Sequence, residues 1–188
     1  ENAVDIIVVA DDRQRYKGKV LLNSCTSAGA DFAIVKLDRP APGRPVSFAT
    51  SYAALSNVHA FGFPGKVIMD DAQFQAMLKG DKLAMPTIVA SSGSIQNIMQ
   101  NRYRAEVITH SAQISQGNSG GPLFDSCGRV VGINTYIDAT TIVSNDPKGN
   151  RTELTVKDGY QYALSSIEMT AFMRLRGVTA KVDSVVCD

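Results

Sequence analysis

Apolar and β-branched residues come along this chain in short runs broken by turn formers, the pattern of many short strands. Ile6-Ile7-Val8-Val9 is the first run, Asp11-Asp12-Arg13 a turn behind it, and Tyr16 to Leu22 a second strand. Asn23 to Gly29 reads as a polar loop carrying Cys25. Asp31 to Asp38, apolar in its middle, reads as a strand buried on both faces. Asp31 stands at its entrance, a place for a turn former or cap unless a partner meets it. Arg39 to Pro45, with three prolines and a glycine, then marks a connector.

Beyond the connector, Val58 to Phe63 is predicted as a strand ended by Gly62-Phe63-Pro64-Gly65. Asp70 to Leu78 should form one or two helical turns with Phe74, Met77 and Leu78 on one side. Thr87–Ile98 and Tyr103–Ile108 read as a strand pair, and Arg129 to Ile137 as a long strand after a turn at Asp125–Gly128. Residues 138 to 152 are polar and read as a flexible loop. Leu154–Val156 and Tyr160–Leu164 look like a final hairpin. Ser165-Ser166-Ile167-Glu168 then fits a capping box, with Glu168 reaching back to the N-cap, and the helix should run to a stop at Gly177. The tail carries Cys187 and is expected to return to the body. Many strands, one late helix and no βαβ alternation predict an all-β barrel or sandwich.

Composition narrows the function classes. A chain of 188 residues with 44% apolar residues can bury a substantial core in one domain or two small subdomains. Its net charge is +1, and Arg102-Tyr103-Arg104 is the nearest thing to a basic stripe, so nucleic acid is not an expected partner. No apolar run approaches a membrane span. No signal peptide is present, which a trimmed chain would lack in any case. Three widely spaced cysteines permit one disulfide plus a free thiol, or three thiols; a Cys127–Cys187 bridge would tie down the tail. With no Cys-x-x-Cys pair and only His59 and His110, no metal site is expected, and no cofactor either.

The candidate chemistry sits in Gln116-Gly117-Asn118-Ser119-Gly120-Gly121-Pro122. Glycines around a serine suit a sharp turn that exposes the hydroxyl and leaves nearby N–H groups free, the parts of a nucleophile with an oxyanion hole. An ordinary Gly-rich hairpin loop is the plainer reading. Gly117-x-Ser119-x-Gly121 also satisfies the nucleophile-elbow pattern of α/β-hydrolases. That pattern needs a helix directly after the serine and a late histidine. Here a strand pattern follows Pro122, and no histidine follows His110.

Gly117-Asn118-Ser119-Gly120-Gly121-Pro122-Leu123, followed by Gly128-Arg129-Val130-Val131-Gly132-Ile133-Asn134-Thr135, resembles the trypsin-like serine peptidases of the HtrA (Deg) type. Asp31-Phe32-Ala33-Ile34-Val35-Lys36-Leu37 is similar to the segment carrying that family's catalytic aspartate. Gly62-Phe63-Pro64-Gly65, Ser92-Gly93-Ser94-Ile95 and Tyr162-Ala163-Leu164-Ser165 fall in family order too. The resemblance implies two perpendicular six-stranded β-barrels with a C-terminal helix and catalytic residues in the cleft between them. It divides the chain into the C-terminal half of a first barrel (1–38), the connector (39–45), the second barrel with its helix (46–177) and the tail (178–188). Only three strands precede the connector, so the N-terminal barrel is expected to be incomplete in this chain. Ser119 would be acylated, Asp31 would orient the imidazole, and the Gly117, Asn118 and Ser119 segment would form the oxyanion hole.

The general-base histidine has no match; the resemblance places it just before Glu1. Neither His59 nor His110 takes its position, and each reads as a structural or surface histidine. The expected function is a serine endopeptidase acting on protein or peptide substrates, periplasmic or secreted. Its base would come from outside these residues, with the protein's own N-terminal segment as a separate piece among the expected partners, and the 188 residues alone should be inactive. The alternatives are a catalytically dead member that binds a protein partner and, less favoured, an esterase on the same barrels. By resemblance, Gln113, Ile114 and Ser115 with Asn134, Thr135, Tyr136 and Ile137 line the primary specificity pocket. Without an acid from Gln113 to Gln116, that pocket should take uncharged, small to medium or aliphatic residues. Recognition of an acidic side chain by His110 is the minor alternative.

Overall fold

The computed structural model describes residues 6–24, 31–137, 140–145, 151–156, 159–185 and 187; for 136–137, 140–145 and 151–156 the description is of the backbone. Cys25 and the segment before Ile6 lie outside it. The fold is all-β with one closed barrel, a separate three-stranded sheet and a C-terminal helix.

The first sheet has the order β1 (Ile6–Val9), β2 (Arg15–Asn23), β3 (Ala33–Leu37), all antiparallel. Its inner side carries the buried Tyr16, whose hydroxyl donates to Asp12 at 2.7 Å under the Arg39 guanidinium. β3 is not buried on both faces. It is the edge strand of the three-stranded sheet, and its residues are exposed or half-buried.

The barrel is built from β5 (Asn57–Gly62), β6 (Val89–Gln100), β7 (Glu106–His110), β8 (Pro122–Asp125), β9 (Val130–Ile137) and β12 (Gln161–Ser165). The order β12-β7-β6-β5-β8-β9 closes because β12 also pairs with β9. Alternation sends Val58, Ala60, Ile95, Ile108, Leu123, Val131 and Ala163 into one buried cluster. Outside the barrel, Phe32, just before β3, joins Val107 and Leu164 beneath Met169 and Phe172 of α3 (Ser166–Arg174). The Phe32 and Phe172 rings lie 5.6 Å apart.

Two expectations about this half of the chain are corrected. Thr140–Asn145 and Arg151–Val156 are strands β10 and β11, paired with each other as a ribbon, so 138–152 is not simply loop. β11 therefore forms no hairpin with β12, which joins β7 and β9 instead. The polar residues between the two strands hid the ribbon in the sequence. Ser165 does cap α3, accepting from the Glu168 N–H at 3.3 Å, and Gly177 has φ 65°. Glu168 does not reach back: its carboxylate accepts the Glu106 N–H at 2.9 Å, anchoring the helix to β7.

The helical stretch near 70–78 begins earlier than predicted, as α1 (Gly65–Ile68) and then α2 (Ala72–Leu78), the latter capped by the Asp71 carboxylate. Two short strands complete the fold, β4 (Phe48–Ala49) and β13 (Val182–Asp183), paired in parallel. The tail is fixed there by the Cys127–Cys187 disulfide. Beside it Arg129 meets Asp125 at 2.7 Å and Asp183 at 3.3 Å and donates to the Val185 carbonyl. Among the described residues no helix is long and apolar enough to cross a membrane.

Candidate active site

Ser119 stands in the tight connection between the segment after β7 and β8. Gly117 has φ 102°, and a Cβ there would sit 2.4 Å from the Phe63 carbonyl oxygen, so both conformation and space demand glycine. A Cβ on Gly121 would approach the Phe61 oxygen to 2.2 Å. The loop lies against β5 and α1 and is held by the Gly65 N–H, which donates to the Gln116 carbonyl at 2.8 Å.

Asn118 is the interior brace. Its buried side chain accepts from the Ser115 N–H at 3.0 Å, its N–H donates to the Ser115 carbonyl at 3.0 Å, and its carbonyl accepts from Gly121. Its N–H is thus committed and offers no free donor to an oxyanion. On the other side, Asn134 of β9 accepts from the Gly120 N–H at 2.8 Å and donates to the Gly121 carbonyl at 2.9 Å. Among the described residues the N–H groups of Gly117 and Ser119 have no acceptor. The Ser119 hydroxyl is exposed and donates to the Thr135 carbonyl at 2.8 Å.

The other sequence-predicted residues are distributed as follows. Asp31 is exposed just before β3 and makes no hydrogen bond or ion pair, to Ser119 or to any other residue, among the described residues. Gln113 is exposed, its carbonyl accepting from the Ser91 hydroxyl at 2.6 Å. Ile114 is buried and Thr135 half-buried, the Thr135 hydroxyl donating to the Tyr162 carbonyl at 3.2 Å. Tyr136 and Ile137 belong to β9, and their side chains lie outside the description.

His59 faces Ser92 across β5 and β6, Nδ1 to Oγ 2.9 Å. His110 is fully buried, and among the described residues neither ring nitrogen meets a partner within strict hydrogen-bonding geometry, although the Ala112 backbone and the Asn134 side chain stand close beside the ring. Burial pushes its imidazole down to about 4, so it is neutral at pH 7.

Sequence reasoning missed Gln161. Its side chain accepts the Ile114 N–H at 3.0 Å and so fixes the segment leading to Ser119 from β12. A lone glutamine at the start of a strand gives no local signal of that contact. An apolar cavity of about 770 Å³ lies between Ile68, Met69 and Phe74 of the α1–α2 excursion and Ile114, Gln116 and Gln161.

A closed barrel with an exposed serine in a glycine loop between β7 and β8 defines a trypsin-like architecture. The chain belongs to the trypsin-like peptidase domain family, whose pattern matches residues 1–133, and its fold is the HtrA/Deg-type serine-peptidase fold. It is 28% identical over 136 residues to the Protease Do-like 1, chloroplastic, of Arabidopsis thaliana, covering 72% of this chain and 28% of that one. It is 30% identical over 145 residues to the putative serine protease HhoA of Synechocystis, covering 76% and 34%. The chain thus spans about a third or less of these relatives' lengths.

Among solved structures, the HtrA-type protease AlgW bound to a decapeptide superposes with a TM-score of 0.61 at 22% identity, covering 94% of this chain and 46% of that one. The serine endoprotease of Yersinia pestis gives 0.59 at 20%, covering 93% and 49%.

Proposed function

We propose that the chain serves a serine endopeptidase that cleaves protein substrates through Ser119, with a general-base histidine supplied from outside these 188 residues. The single observation that carries this reading is the pair of unbonded N–H groups, Gly117 and Ser119, flanking an exposed serine hydroxyl in a braced loop. That is the arrangement an acyl-transfer oxyanion hole requires. Neither histidine of the chain is available as base, since His59 is engaged by Ser92 and His110 is sealed in the barrel without contact to Ser119. In this reading Asp31, unpartnered and exposed at the start of β3, orients the incoming imidazole. The incoming imidazole draws the hydroxyl proton away from Thr135, and Ser119 Oγ attacks the scissile carbonyl.

The pocket walls Gln113, Ile114, Asn134, Thr135, Tyr136 and Ile137 carry no charge, consistent with uncharged side chains at the cleavage position. The Cys127–Cys187 disulfide supports an oxidising compartment, periplasmic or secreted. One observation favours a second reading, a catalytically inactive fold member that binds a protein partner: the serine proton is committed to the Thr135 carbonyl. A fluorophosphonate probe separates the two. In the complete protein it is expected to modify Ser119 and to fail with Ser119→Ala; an unlabelled complete protein would leave the binding reading.

A further inference from the structure

Between β5 and β6 the chain leaves the barrel over residues 63–88 and carries α1 and α2 past the segment that leads to Ser119. Neither helix has a buried residue, so neither adds to the barrel core. Ile68 and Phe74 are half-buried and Met69 is exposed, and all three line the cavity of about 770 Å³ together with Ile114. That volume lies within the range of about 300–1,000 Å³ usual for ligand sites.

Hydrogen bonds hold the walls of this cavity and leave its apolar lining uncovered. On the side of the serine loop, the Gly65 N–H donates to the Gln116 carbonyl at 2.8 Å, and the Gln161 side chain accepts the Ile114 N–H at 3.0 Å. On the far side, the Asp71 carboxylate accepts from the Gln73 and Phe74 N–H groups at 2.7 and 2.9 Å and from Thr87 at 3.1 Å. The Gln75 side-chain amide donates to the Met69 carbonyl at 2.7 Å and so joins α2 to the end of α1. Walls set in advance lose little freedom on binding.

Lys66 is the single charged residue of the described lining. It is exposed and makes no hydrogen bond or ion pair among the described residues. Asp70 and Asp71 lie outside the lining, and Asp71 is committed to its three N–H groups. An apolar side chain entering the cavity leaves water for the surfaces of Ile68, Met69, Phe74 and Ile114. A carboxylate beside it meets the Lys66 ammonium, whereas a cation is repelled there.

We propose that this cavity docks an apolar side chain of the bound polypeptide, with an acidic residue next to it held by Lys66. The occupant is a polypeptide because the wall formed by Ser115 and Gln116 runs directly into Gly117 and Ser119, where the peptidase reading places the scissile chain. The inference rests on that reading for the source of the ligand. It adds a second determinant, an apolar–acidic pair, to the uncharged residue at the cleavage position.

The test has two arms on the complete protein. In the first, Ser119→Ala is titrated with the blocked peptides acetyl-Ala-Leu-Asp-Ala-amide, acetyl-Ala-Leu-Lys-Ala-amide and acetyl-Ala-Ser-Asp-Ala-amide. The ¹³C-labelled methyl of Met69 is followed, with Met173 of α3 as reference. The Leu-Asp peptide is expected to give a saturable shift of Met69 alone, with Kd about tenfold or more weaker for Ser-Asp. Leu-Lys should bind about twofold to fivefold more weakly than Leu-Asp, and Lys66→Glu should reverse that order. No saturable shift, equal binding of Ser-Asp, or an order unchanged by Lys66→Glu overturns the proposal. So does tighter binding of decanoate, which would make the cavity a lipid site, or a Met69 shift that follows protein concentration without peptide, which would make it a contact between copies.

In the second arm, a mixed peptide library is digested and the cleaved ends are read by mass spectrometry. An apolar–acidic pair is expected at one fixed distance from the cleaved bond, with the acidic preference turned to a basic one in Lys66→Glu. Cleavage that needs Ser119 but shows no such pair removes the docking site and leaves the peptidase. No Ser119-dependent cleavage, with the Leu-Asp titration intact, removes the peptidase and leaves the docking site.

Discussion

Acid should destabilise the barrel through His110 before it affects most other groups. The ring is fully buried and lacks partners, and its folded pKa of about 4 lies below the unfolded value of 6.5. Between these values the unfolded chain binds the proton and the folded chain does not. Stability from this group is therefore complete above about pH 6.5, declines as pH falls toward 4, and is lost below. At about 1.4 kcal/mol per pH unit, the whole displacement is worth roughly 3 kcal/mol. The assay is urea unfolding at pH 7.5, 6, 5 and 4 for the natural chain and His110→Leu. Subtracting the two removes the contribution of carboxylates that titrate in both. The natural chain is expected to lose up to about 3 kcal/mol relative to the variant across the series. A difference that stays flat with pH would refute the reasoning, because it would mean that the buried ring charges without cost.

Three further outcomes are expected. Gly117→Ala forces a Cβ to within 2.4 Å of the Phe63 oxygen at φ 102°, and should cost about 1–3 kcal/mol and abolish fluorophosphonate labelling of the complete protein; urea unfolding and the probe read the two effects. Asp125→Ala strips the buried Arg129 of the carboxylate 2.7 Å away, leaving the exposed end of Asp183 as its remaining acid, and should cost about 3–5 kcal/mol in denaturant unfolding. Cys187→Ser opens a bridge that closes a separation of 60 residues, and should lower stability by roughly 2–4 kcal/mol, with no further change on adding a reductant.

The elements legible in the chain were those written within a few residues. The β-branched run at Ile6–Val9 is a strand with those ends, Ser165 caps α3 as its spacing from Glu168 implies, and Gly177 ends it with a left-handed φ. Pairing partners were not legible. β11 and β12 look like neighbours in a hairpin because a turn sequence lies between them, yet closure of the barrel takes β12 to β7 and β9. α1 is a four-residue helix, too short for any periodicity to show. β3 was read as doubly buried from its apolar middle, and it is an edge strand because the sheet has three strands and β3 is the last of them.

The candidate site divides in the same way. The order of glycines around Ser119 determines a turn of unusual shape, since no other residue tolerates the φ and the close carbonyl at Gly117, and that much is local. Which N–H groups remain free depends on contacts from far along the chain: Ser115 consumes the Asn118 donor and Asn134 the Gly120 donor, while Gly117 and Ser119 are left open. Likewise the residue type of His110 was plain, but its burial, its unpaired nitrogens and its place above Gln161 follow from the strand register alone. Sequence by itself determined local elements such as the Ile6–Val9 strand, the Ser165 cap and the left-handed stop at Gly177, because backbone preference acts over a few bonds. Tertiary structure decided what each polar group meets, because a hydrogen bond or a buried ring is defined by whichever distant segment the closed barrel brings to it.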